Sequence, residues 1–108
     1  MKIKRQNIGE LEELILLIVG ILDDNAYGIS VKDEIKKQSG RRLTISAVHS
    51  VLLRLEKKGL LKSSFGGETN ERGGRRKRFF QLTCLGKENI TEIKKMRNKL
   101  WNLIPDLT

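Results

Sequence analysis

RRLTISAVHSVLLRLEKKGLLKSSFGGETNERGGRRKRFF, residues 41–80, decides the fold of this 108-residue chain. Its first half has helical spacing: Val48, Leu52 and Leu55 stand at i, i+4 and i+7, one apolar stripe facing a core. Ser46, Ser50, Arg54 and Lys57 fall on the opposite side, with His49 and Leu53 beside them. Thr44 suits the N-cap, because its hydroxyl can accept a backbone N–H that the first turn leaves unpaired. Gly59 suits the left-handed residue that ends a helix. The second half holds two strand-like runs, residues 60–65 and 77–82, on either side of a glycine-rich loop. That loop leads into Arg72, Arg75, Arg76, Lys77 and Arg78. A polar-faced helix followed by a basic hairpin is a winged helix-turn-helix pattern. With the flanking helices it predicts an α+β, mostly helical domain. The helix is expected to enter a major groove and read bases through some of Ser46, Ala47, His49, Ser50 and Arg54. The hairpin cations, with Arg41 and Arg42 in the loop before the helix, are expected to hold phosphates.

The charge supports that reading by its placement. The net charge is +9. Residues 9–40 sum to −4, three Lys against seven Asp/Glu, while residues 41–80 sum to +8, eleven Lys/Arg against three Glu. A bias spread evenly would serve solubility; this segregation favours a face for a polyanion. An adaptor that binds an acidic protein partner is the second reading of the same charge. A salt-sensitive duplex shift separates the two.

Working outward, residues 1–8 form a basic arm with Lys2, Lys4 and Arg5. Helix 1 is expected over about 9–23, with Glu10, Glu12 and Glu13 at the positive end of its dipole. From Leu11 to Leu22 it has almost no polar face, so it calls for cover on two sides. The turn at Asp23–Gly28 leads into helix 2, about 28–39, with Ile29, Val31 and Ile35 available for the core and Gly40 ending it. Thr83 can cap a last helix over about 83–104, which Pro105 stops. In it Ile93, Met96, Leu100, Leu103 and Leu107 follow 3-4-3-4 spacing, a coiled-coil seam too short to stand alone. A homodimer is therefore expected, built from Leu14, Ile18, Ile93, Met96, Leu100, Leu103 and Ile104, with Trp101 as one wall of an effector pocket. The whole is one unit: a winged-helix part over 1–83, then a dimerisation helix and tail over 84–108. A two-fold pair places two recognition helices on a pseudo-palindromic operator.

Other chemistry is excluded by what is missing. One Cys, Cys84, allows no internal disulfide and fits a reducing cytoplasm; it reads as a small buried hydrophobe. With a single His beside it, no zinc-ligand set exists in one chain. No nucleophile or carboxylate pair accompanies His49, so no enzyme, metal or cofactor is expected. The apolar run of helix 1 is too short to span a bilayer, and Glu10, Glu12, Glu13 and Asp23–Asp24 are wrong for an export signal. A cytoplasmic protein away from membranes is expected.

Three segments resemble the PadR-like transcriptional regulators. They are Ala26-Tyr27-Gly28; Leu52 with Arg54-Leu55-Glu56-Lys57-Lys58-Gly59-Leu60; and Gly73-Gly74-Arg75-Arg76-Lys77-Arg78-Phe79-Phe80-Gln81-Leu82-Thr83 with Gly86. The similarity covers roughly residues 9–90. It implies a winged helix, a dimer through the C-terminal helix, repression of transcription and, in some members, release by a small molecule; beside Trp101 a small apolar or aromatic effector is expected here. Relatives often carry Tyr at the position of His49, and tyrosines where Phe79 and Phe80 stand, so base preference and hydroxyl contacts should differ here.

Overall fold

The computed structural model describes residues 8–66 and 76–105. The arm residues 1–7, Arg72, Arg75 and Leu107 lie outside the described residues. The element order is α1 (Glu10–Leu22), a short 3-10 turn (Asp23–Asn25), α2 (Gly28–Ser39), α3 (Ile45–Lys57), β1 (Leu61–Phe65), β2 (Arg78–Leu82) and α4 (Cys84–Leu103).

α1 starts where the Gly9 N–H donates to the Glu12 carboxylate at 2.9 Å. Ile15, Leu16, Ile18 and Val19 are buried in the core, while Leu17 and Ile21 stand 44% and 59% exposed. One flank of this apolar helix is thus covered within the chain and one is open. Ile18 was expected at a dimer surface. It is 1% exposed, packed inside its own protomer, and has no area left for a partner. Leu14 is partly buried against the same core. α2 buries Val31 and Ile35, but Ile29 is exposed, a second departure from expectation. Gly40 closes α2 at φ 76°, in the left-handed region that favours glycine.

In α3 the Thr44 hydroxyl accepts the Ala47 N–H at 3.1 Å, the cap read from sequence. Val48, Val51, Leu52 and Leu55 face the core. The hairpin pairs antiparallel, with Leu61 opposite Leu82, Ser63 opposite Phe80 and Phe65 opposite Arg78. It is pinned to the body at two places. The Phe80 N–H donates to the Ala26 carbonyl at 2.8 Å, and the fully buried Phe80 ring fills the core. The Tyr27 and Phe79 rings meet edge to face at 5.5 Å. Two segments distant in sequence, Ala26-Tyr27-Gly28 and Phe79-Phe80, are therefore one contact.

α4 is rooted by Thr83. Its hydroxyl accepts the Gly86 N–H at 3.0 Å and donates to the Gly59 carbonyl at 2.6 Å, and its N–H donates to the Leu60 carbonyl at 3.1 Å. Gly86 is needed there: a Cβ on it would lie 2.2 Å from the Leu60 carbonyl oxygen. Cys84, expected buried, is exposed at the first helical position. Further along, Arg97 forks onto Glu13 of α1 at 2.7 and 3.0 Å. The helix ends at Leu103, just before Pro105, as the missing proline N–H requires.

Candidate nucleic-acid interface

α3 turns one polar face to solvent. Ile45, Ser46, His49, Ser50 and Leu53 line a single shallow depression there. Ser46, His49 and Ser50 are exposed, as expected, and the His49 ring stands edge-on to Phe80 at 6.3 Å. Arg54 and Lys57 are exposed on the same helix without lining the depression. Ala47 is half-buried at the edge of this face. Ile45 and Leu53 line this depression and were not among the residues expected on it. The signal for their placement was in the spacing: they lie four residues either side of His49.

The expected phosphate ligands divide. Arg42 is exposed before α3, and with Lys32, Lys36, Arg41 and Thr44 it borders a cleft between α2 and the start of α3. Lys32 and Lys36 line that cleft together with Asp33 and were not anticipated there. Arg41 instead ion-pairs with Glu10 of α1. On the hairpin, Arg76 and Lys77 are exposed, and the Lys77 ammonium sits 4.4 Å over the Tyr27 ring. Arg78 is drawn inward. Its Nη2 donates to Glu56 Oε1 at 2.7 Å and its Nε to the Ser63 hydroxyl at 3.0 Å. The Ser63 hydroxyl donates in turn to Glu56. The guanidinium also lies 5.5 Å from the Phe80 ring centre. Arg78 was expected among the phosphate ligands; it is instead engaged as a strut between hairpin and α3, because β2 places it opposite the last turn of that helix.

Beside the C-terminal end of α3, Glu12 of α1 is buried and meets the Lys58 ammonium at 2.8 Å. Burial alone would raise its pKa. The Gly9 N–H, the Lys58 ammonium and the positive field of Arg54 together outweigh that and hold the carboxyl below its ordinary value. Glu13 likewise raises the pKa of Arg97 through their hydrogen bonds.

Trp101 is 62% exposed on α4 and does not line the concavity between α1 and α4. The concavity between α1 and α4, about 350 Å³, lies a turn earlier, lined by residues that include Glu13, Leu17, Ile90, Ile93 and Arg97. Ile93 is 7% exposed, so it belongs to the α1–α4 packing. Met96, Leu100, Leu103 and Ile104 are exposed, at 38–69%. Among the described residues no group of His, Cys, Asp and Glu is arranged to hold a metal ion, and no helix is long and apolar enough to cross a membrane.

Four helices with a two-stranded antiparallel wing after the third define a winged helix-turn-helix protein. Residues 17–92 match the family model of the Transcriptional regulator PadR-like family, and the chain belongs to that family. It is 32% identical over 89 residues to an uncharacterized protein of Lysinibacillus sphaericus, covering 81% of this chain and 77% of that protein. A PadR family transcription regulator from Clostridium difficile superimposes with a TM-score of 0.68 at 32% identity, covering 87% of this chain and 92% of that one. A PadR-like transcriptional regulator from Bacillus cereus has the same fold, with a TM-score of 0.66 at 21% identity over 89% and 92% of the two chains.

Proposed function

We propose that the protein binds specific double-stranded DNA sites as a homodimer in the cytoplasm and represses transcription by occupying them. The observation that carries this is the solvent face of α3, with the exposed Arg42, Arg54, Lys57, Arg76 and Lys77 on α3 and the segments flanking it. Hydroxyls and an imidazole between flanking cations suit base edges set between phosphates. The distal half of α4 supports the dimer. Met96, Leu100 and Leu103 follow seam spacing and are exposed in the protomer, alongside Leu17 and Ile21 of α1. A second copy that covers both surfaces removes them from water and sets two α3 helices on a pseudo-palindromic operator. Release by a small apolar or aromatic effector would use the α1–α4 concavity, whose volume lies in the range of ligand pockets, about 300–1,000 Å³.

The test is selection of bound duplexes from a random pool, followed by affinity measurement across a salt series. Specific binding whose log K falls steeply with log salt is the expected result. Capture of an acidic protein with no duplex bound would favour an adaptor.

A further inference from the structure

We infer that Ile45 and Leu53 read thymine methyl groups, which makes the recognition face selective for A·T pairs where they reach. This rests on the DNA-binding reading above and names what that face selects. Ile45 is 43% exposed and Leu53 38% exposed on a helix whose core stripe is already complete. Val48, Val51, Leu52 and Leu55 are 0–3% exposed, so the fold does not need Leu53 as a fifth core residue. Ile45, His49 and Leu53 form one row at i, i+4 and i+8, and Ser46 and Ser50 form the adjacent row. All five line the same shallow depression, and no carboxylate lines it.

A protein partner of apolar character would favour an uninterrupted apolar patch. Here two aliphatic side chains bracket an imidazole and two hydroxyls, with the cations Arg54 and Lys57 exposed on the same helix. The major-groove edge of an A·T pair offers the matching set. It has hydrogen-bonding atoms on both bases and one exposed methyl group on thymine, and aliphatic contact with that methyl is a recognised mode of base discrimination. Eight residues separate Ile45 from Leu53, about 12 Å of helix at 1.5 Å per residue. That span is about three to four base-pair steps when the helix lies along the groove, since one DNA turn of about 34 Å holds about ten pairs. Both contacts therefore fall within one half-site.

The test uses the full chain and a duplex recovered by selection from a random pool. Each thymine in turn is replaced by deoxyuridine, which removes the C5-methyl and leaves every hydrogen-bonding atom in place. One or two positions per half-site should lose affinity by about fourfold, the worth of one methyl-sized group withdrawn from water. Leu53→Ala or Ile45→Ala should abolish that sensitivity at its own position, with circular dichroism and melting close to wild type. Uniform indifference of the wild type to deoxyuridine overturns the inference while leaving DNA binding intact. So does a sensitivity that persists in both variants. If the wild type retains no duplex at all, the DNA-binding reading itself falls, and this inference with it.

Discussion

Arg78→Met tests whether the last arginine of the basic hairpin is a strut or a phosphate ligand. Methionine keeps an unbranched apolar stem beside Phe80 and deletes the guanidinium. What is lost is the 2.7 Å bond to Glu56 and the 3.0 Å bond to Ser63. Hydrogen bonds to charged groups contribute about 1.5–3 kcal/mol when well buried. The two charged side chains are 32% and 29% exposed, so solvent screening reduces the pair toward the surface range of about 0–1 kcal/mol. A coupling of about 1 kcal/mol is therefore expected between Arg78 and Glu56. Urea denaturation of Arg78→Met, Glu56→Gln and the double variant measures it as a double-mutant cycle. DNA binding supplies the second readout. Arg76→Ala should lower the slope of log K against log salt by about 1 per protomer, whereas Arg78→Met should leave the slope unchanged and weaken specific sites more than random ones. Zero coupling together with a slope loss equal to that of Arg76→Ala would refute the strut: Arg78 would then leave Glu56 for a phosphate.

Three further outcomes follow from the packing. Gly86→Ala puts a methyl 2.2 Å from the Leu60 carbonyl oxygen, so α4 must shift at its root; a loss of about 1–3 kcal/mol should lower the melting temperature, and unchanged melting would disprove the close approach. Glu12 has a folded-state pKa below its ordinary value of 4.5, so its contribution is fully present above that value and is lost as pH falls through the folded pKa. Glu12→Gln should therefore flatten the acid limb of a stability–pH curve; an acid limb identical to wild type would remove the Gly9–Glu12–Lys58 contacts from the account. Leu100→Asp places a carboxylate on the 54% exposed seam of α4, where burial against a partner would be costly. Sedimentation should show monomers that melt like the wild-type winged helix and lose specific duplex binding, and dimers of the variant at micromolar concentration would move the interface elsewhere.

The elements were legible because their signals act over a few residues. Thr44 and Thr83 each cap the turn that follows, a contact made within three residues. Gly40 and Gly59, at φ 76° and 79°, end helices by a local backbone preference. The period of Val48, Leu52 and Leu55 points α3 inward, and the outward positions of Ser46, His49 and Ser50 follow from the same 3.6-residue repeat. The charge contrast between residues 9–40 and 41–80 is likewise a property of the chain itself.

Helix 1 resisted the same reading. With apolar residues on every side it carries no period to say which flank is core, so Ile18 was assigned outward and proves buried. Arg78 belonged by composition to a run of cations. Its partner Glu56 lies 22 residues away, and only the pairing of β2 with β1, which packs on α3, brings the two to 2.7 Å. Arg41 similarly meets Glu10 across 31 residues. Periodicity, caps and charge segregation thus determine the elements and the face of α3 from sequence, because each is written within a turn or two of helix. Which cations point outward, which apolar residues remain uncovered and where α4 is rooted depend on contacts between distant segments, and only the tertiary packing decides those.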